Sequence, residues 1–109
     1  MTSSRETFAH ASEAELARLF DFYRINWQYE PRMFPISFDD SGRPVEFFTP
    51  DFYLPEYDLF IELTMQKSAH NTRKNRKLRL LRSHHPHVNV KLFTRRDVER
   101  VFSRLAKAS

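Results

Sequence analysis

The chain has 109 residues, of which 40% are apolar and 15% aromatic, and it carries a net charge of +4. That suffices for one domain with one small core, and the basic balance permits nucleic acid as a partner without requiring it. The lack of cysteine excludes a disulfide framework and a thiolate metal site. With no apolar leader, and no apolar run near the roughly 20 residues that span a bilayer, a soluble cytoplasmic protein without a membrane partner is the expectation.

Residues 1–11 are polar and read as a flexible N-terminus, leaving 12–107 as a single domain. Ser12 followed by Glu15 is a capping-box pattern. Leu16, Leu19, Phe20 and Tyr23 then recur at helical spacing, which predicts an amphipathic helix over 12–24. Trp27–Glu30 and Met33–Phe38 read as one strand broken by Pro31, since proline cannot donate to a ladder. Asp39-Asp40-Ser41-Gly42-Arg43 is the clearest turn and holds the only glycine. The helix-compatible run 68–83 has an apolar second half, with Leu78, Leu80 and Leu81, and a polar first half that projects from the core or faces a partner. Val88–Phe93 reads as a buried strand. A last helix starts at Arg95 or Arg96, with Val98, Val101, Phe102 and Leu105 on one face.

The centre of the chain is the stretch 43–67. Two apolar runs, Val45–Leu54 and Leu59–Leu63, flank Pro55-Glu56-Tyr57-Asp58 and predict a β-hairpin that joins the preceding strand in an antiparallel meander. A four-residue loop sets Leu54 against Leu59 and therefore Asp51 against Glu62, with Cβ atoms roughly 4.5–5.5 Å apart. Two converging carboxylates suit a divalent cation better than a core. The alternative is an Asp at the top of a turn and a Glu on the solvent face of a half-buried strand. Glu62 lies between Ile61 and Leu63, so an acid there needs compensation. Thr64 shares its parity and points to the same face.

Pro50-Asp51 followed by Ile61-Glu62-Leu63-Thr64 resembles the signature of the PD-(D/E)XK nuclease superfamily. The longer text, from YEPRMFPI through TPDFYLPEYDLFIELT to NRKLRLLR and VNVKLF, is similar to a small bacterial branch related in pattern to very-short-patch repair and resolvase-like endonucleases. The resemblance covers about Ser12 to Phe102. It implies an α/β (α+β) fold with a restriction-endonuclease-like αβββαβ core, a mixed central sheet flanked by helices, and here one extra C-terminal helix. It also implies Mg²⁺, with Mn²⁺ as substitute, held by Asp51 and Glu62. The usual lysine position is Thr64, a departure shared with very-short-patch repair enzymes. Lys67 can supply the missing charge if the chain curls back, with Gln66 a lesser candidate, and the Thr64 hydroxyl is suited to hold a water. Glu15 matches the first-helix acid that joins the metal site in this superfamily, although the local cap also explains it; Glu13 is the lesser alternative. Glu30 reads as structural, paired with Arg32.

Arg73, Lys74, Arg76, Lys77, Arg79 and Arg82 place six positive charges within ten residues, and no acid occurs from Ser68 to Arg96. Solvated helices usually mix signs, so this run reads as a phosphate-backbone contact through Arg73, Lys74, Arg76, Lys77 and Arg79. Asn71, Thr72 and Asn75 add hydrogen-bonding groups. His84, His85 and His87 read as surface residues at a helix end, and His70 as a general-base candidate. Phe47, Phe48, Phe52, Phe60 and Trp27 read as core. Three functions follow as expectations. The first is a metal-dependent endonuclease acting on nucleic acid, DNA foremost, for which a homodimer would let each subunit cut one strand. The second is a nucleic-acid-binding module of the same fold with weakened catalysis. The third is an accessory domain for a partner protein.

Overall fold

The computed structural model describes residues 8–64 and 72–108, with the backbone alone at 102 and 105–108. The elements run α1 (Ala11–Phe22), β1 (Gln28–Tyr29), β2 (Phe34–Phe38), β3 (Pro44–Phe48), β4 (Phe52–Leu54), β5 (Leu59–Thr64), α2 (Thr72–His84), β6 (Val90–Thr94) and α3 (Arg95–Ala108). The fold is thus mixed α and β, with three helices around a mixed sheet. That sheet has the order β1-β4-β5-β6, antiparallel at β1/β4 and β4/β5 and parallel at β5/β6. A parallel neighbour requires a crossover, and α2 lies within it.

The expected meander is corrected in two places. Trp27–Phe38 is not one interrupted strand: β1 joins the four-stranded sheet, whereas β2 pairs with β3 in a sheet of two. Val45–Leu54 is likewise split, since the chain bends at Asp51 and β3 and β4 belong to different sheets. Pro50, fully buried just before the bend, has no N–H to continue a ladder. The predicted hairpin itself forms as β4–β5. Pro55–Tyr57 make a 3₁₀ turn, Asp58 takes a left-handed conformation at φ 47°, and Leu54 faces Leu59. The Tyr53 hydroxyl donates to Asp58 Oδ1 at 2.9 Å and closes the turn.

Side-chain alternation along β4 and β5 sends apolar groups to both faces, so the sheet is buried on two sides. One core gathers Leu16, Ala17 and Phe20 of α1, Phe52, Leu54, Ile61 and Leu63 of the sheet, and Val98 of α3. The other gathers Phe34 and Ile36 of β2, Phe48, Phe60 and Val90, and Leu78 and Leu81 of α2. The β2–β3 hairpin is tied to α2 by paired Arg76–Glu46 bonds at 2.9 and 3.0 Å, and His85 Nε2 lies 2.8 Å from the Pro35 carbonyl oxygen.

The α1 start differs from the capping-box expectation. The helix begins at Ala11, His10 is the N-cap, and no side chain caps it. The predicted turn at 39–43 forms as read: Asp39 Oδ1 accepts from the N–H groups of Ser41 and Arg43, and Gly42 supplies φ 86°. Phe47 is 41% exposed, against the core role expected of it, because its β3 position points away from α2. Among the described residues no helix is long and apolar enough to cross a membrane.

Candidate functional site

Extending the β4–β5 register by one residue beyond Phe52↔Ile61 sets Asp51 against Glu62, as the loop length predicted. Both are buried, at 8% and 6% exposure, so neither is the solvent-facing acid of the alternative reading. Asp51 sits at the bend before β4, and its Oδ2 accepts the Leu63 N–H at 2.8 Å. Its own carbonyl accepts the Glu30 N–H at 2.9 Å, so Asp51 is held from β5 on one side and from the end of β1 on the other. Glu62 has the parity of Phe60 and therefore faces α2. There Lys74 Nζ lies 3.1 Å from Glu62 Oε2 and donates to the Leu63 carbonyl at 2.6 Å. Glu62 Oε1 is buried and has no hydrogen-bond partner among the described residues.

Burial and mutual repulsion govern the electrostatics. Burial first, then the Glu62 charge and more weakly that of Glu13, push the Asp51 carboxyl up to about 7, against the pull of the Leu63 N–H. Burial raises Glu62 as well, and the charge and hydrogen bond of Lys74 oppose that rise. Two carboxyls that resist ionisation side by side form an incomplete electrostatic unit, which one more positive charge would complete.

A third acid, Glu13 of α1, contributes to this field. It is 6% exposed, and Tyr29 donates its hydroxyl to Glu13 Oε1 at 2.6 Å while accepting the Ala9 N–H at 3.1 Å. Burial and the Glu13 bond raise the Tyr29 phenol, keeping it a donor. Glu15, the acid preferred from the sequence, faces elsewhere and pairs with Arg95 of α3 at 3.0 Å. The reason is helical geometry. Glu13 lies three, four and seven residues before Leu16, Ala17 and Phe20, on the buried stripe, and Glu15 lies beside it. Among the described residues no three acidic or histidine side chains converge as a metal-binding group. A cation here would take its protein ligands from the Asp51–Glu62 pair and complete its shell with water, the habit of Mg²⁺.

The basic run divides in the structure. Lys74 turns inward, on the same stripe as Leu78 and Leu81, four and seven residues on. Arg76 is engaged by Glu46, and Arg82 donates to the Val90 carbonyl at 2.9 Å. Arg73 and Arg79 are exposed and Lys77 is half-buried, and these three remain toward solvent on α2. Thr64 is buried at the end of β5, opposite Thr94 of β6. Gln66, Lys67, His70 and Asn71 lie outside the described residues. Glu30 forms no ion pair with Arg32, whose guanidinium instead lies 4.6 Å over the Phe34 ring. His84 packs on Phe38, and His87 is exposed.

A cavity of about 420 Å³ lies between α1 and α3. It contains Glu15 and Arg95 and reaches Leu63, but neither Asp51 nor Glu62, so the acid pair is not its floor. Of the ion-paired groups at the site, the Lys74 side chain is 37% exposed and that of Glu62 8%.

The class that fold and site define is a small mixed α/β protein with a buried, partly compensated carboxylate pair at the bend of its central hairpin. No family model matches the chain, and comparison with curated proteins and with solved structures returns no match.

Proposed function

We propose that the chain is a metal-dependent endonuclease with a restriction-endonuclease-like core, hydrolysing phosphodiester bonds of nucleic acid, DNA foremost. The observation that carries this reading is Glu62 Oε1, a buried carboxylate oxygen with no hydrogen-bond partner among the described residues, beside a second buried acid. An orphan of that kind is costly unless a ligand completes it. Hard oxygen donors and a small charge deficit suit Mg²⁺ or Mn²⁺.

Asp51 and Glu62 would hold the cation, and Glu13, fixed by Tyr29, would add negative field from α1. A bound divalent ion would supply Lewis acidity to a phosphate oxygen and make water a better nucleophile. The sheet order supports the reading: β1, β4, β5 and β6 supply three antiparallel-linked strands and one parallel strand beyond a helix. The β2–β3 hairpin is then an insertion between the first and second of these. Arg73, Lys77 and Arg79 would meet the phosphate backbone, in the salt-dependent manner of such contacts.

Incubation of purified protein with supercoiled, single-stranded and branched DNA in Mg²⁺ or Mn²⁺ tests the proposal. Cleavage by the wild type and its loss in Asp51→Ala and Glu62→Gln are expected. Equal cutting by wild type and Asp51→Ala refutes the site. Salt-sensitive binding without cleavage in any divalent ion favours the binding-module alternative.

A further inference from the structure

We infer that Lys74, a residue of the basic helix, belongs to the acid pair rather than to the nucleic-acid surface: its ammonium stands in for the divalent cation while the site is empty of metal, and turns to the scissile phosphate once a metal arrives. This inference rests on the nuclease reading above and adds a residue to it.

The geometry separates Lys74 from its neighbours. It is the only cation of the basic run that is bonded to the acid pair among the described residues: Nζ lies 3.1 Å from Glu62 Oε2 and 2.6 Å from the Leu63 carbonyl oxygen. Leu63 is thus held from both ends of its backbone, its N–H by Asp51 and its carbonyl by Lys74. The spacing to Leu78 and Leu81 puts Lys74 at the edge of the buried stripe of α2, from which its side chain extends to Glu62. The ammonium meets one oxygen of Glu62, the Asp51 N–H adds a smaller stabilisation of the carboxylate, and Oε1 has no hydrogen-bond partner among the described residues. The compensation is therefore partial, with one carboxylate oxygen met and the other not.

Two positive charges beside the same carboxylates repel each other, so a divalent ion and Lys74 compete for Glu62. A lysine stem has four carbons and three rotatable donors and is already 37% exposed. A short swing takes Nζ from Glu62 to the solvent side, where a phosphate held by Arg73 and Lys77 would lie. There it can stabilise the charge that develops on a phosphorane-like transition state, work the side chain of Thr64 cannot do. Hydrolysis needs no co-reactant beyond water. One P–O bond forms to the water oxygen and one breaks to the leaving oxygen, and the proton lost by the water balances the one gained by the leaving group.

The test uses the full chain, in wild-type form and as Lys74→Gln, which keeps a hydrogen-bond donor for the Leu63 carbonyl but removes the charge. Calorimetric titration with Mn²⁺ in the absence of nucleic acid is expected to show binding at least about tenfold tighter in Lys74→Gln. Single-turnover cleavage at saturating Mn²⁺ is expected to fall by about 100-fold, with DNA affinity changed less than about threefold. In ¹⁵N-lysine-labelled wild type, the protected Lys74 ammonium signal is expected to move or vanish on addition of saturating Mg²⁺, an observation that does not depend on the variant folding. Unchanged Mn²⁺ affinity in Lys74→Gln, or a Lys74 signal indifferent to Mg²⁺, while the wild type binds metal and cleaves, overturns the role given to Lys74 and leaves the nuclease reading standing. A wild type that neither binds Mn²⁺ nor cleaves overturns both.

Discussion

Removing the charge of Asp51 should stabilise the metal-free protein above neutrality, although the residue is buried and hydrogen-bonded. Its carboxyl is held at about 7 against an ordinary 3.8, chiefly by burial and by Glu62. A folded-state value above the unfolded one means that the folded chain keeps a proton the unfolded chain has released. Stability therefore falls as pH rises from about 4 to about 7 and is flat beyond. At about 1.4 kcal/mol per unit, the full difference is worth up to about 4 kcal/mol. Glu62 is raised and acts with the same sign. Asp39, Glu46 and Asp97 are held low by their hydrogen bonds and act with the opposite sign, their contribution being lost only as pH falls through and below the ordinary carboxylate range. Urea denaturation followed by far-ultraviolet circular dichroism, in chelator, from pH 4.5 to 8.5, isolates the acid pair. Wild type should lose about 2–4 kcal/mol across that range. Asp51→Asn should lose markedly less and exceed wild type at pH 8. A wild type that gains stability between pH 5 and 8, or an Asp51→Asn that is weaker than wild type at pH 8, refutes the electrostatic picture of the site. Saturating Mg²⁺ should restore wild-type stability at pH 8, by about 2.7 kcal/mol at a hundredfold excess over Kd, and should do little for Asp51→Asn.

The two α1 acids should behave oppositely. Glu13→Gln should reduce cleavage at least about tenfold, whereas Glu15→Ala, which removes an exposed pair with Arg95, should cost about 1 kcal/mol or less in urea and leave cleavage within about twofold. Charge reversal at Arg73, Lys77 and Arg79 should weaken DNA binding and reduce its salt slope by about one per lost contact, as fluorescence anisotropy across a salt series would register. Arg76→Glu should instead loosen the β2–β3 hairpin, seen as faster amide exchange in β2, with a smaller effect on binding than any of those three. Leu81→Ala, fully buried against Phe34 and Ile36, should cost about 2–5 kcal/mol by urea denaturation.

The hairpin that carries the acids was readable because its loop is self-defining. Pro55 sets the first residue of the turn, Asp58 tolerates a left-handed backbone, and a loop of that length sets the Asp51–Glu62 register. The α1 stripe was readable from its apolar members. Its acidic member was not, because a periodic pattern is counted in apolar residues, and Glu13 extends the stripe of Leu16, Ala17 and Phe20 without being one of them. Lys74 was hidden by the same habit. Seven residues before Leu81 and four before Leu78 is an inward position, yet a cation within a basic run is taken for part of the solvated face. The division of Val45–Leu54 between two sheets depends on tertiary pairing: Phe48 and Phe52 are both buried, but in different cores. A continuous apolar run does not show which neighbour each half will find.

If the nuclease proposal holds, the facing carboxylates of Asp51 and Glu62 receive a divalent cation. A crystal soaked in Mn²⁺ and measured for anomalous scattering tests it most directly. A peak within coordination distance of an oxygen of each side chain is expected, with Lys74 Nζ drawn away from Glu62. Saturating Mn²⁺ that leaves no peak there, with Lys74 still bonded to Glu62, would contradict it.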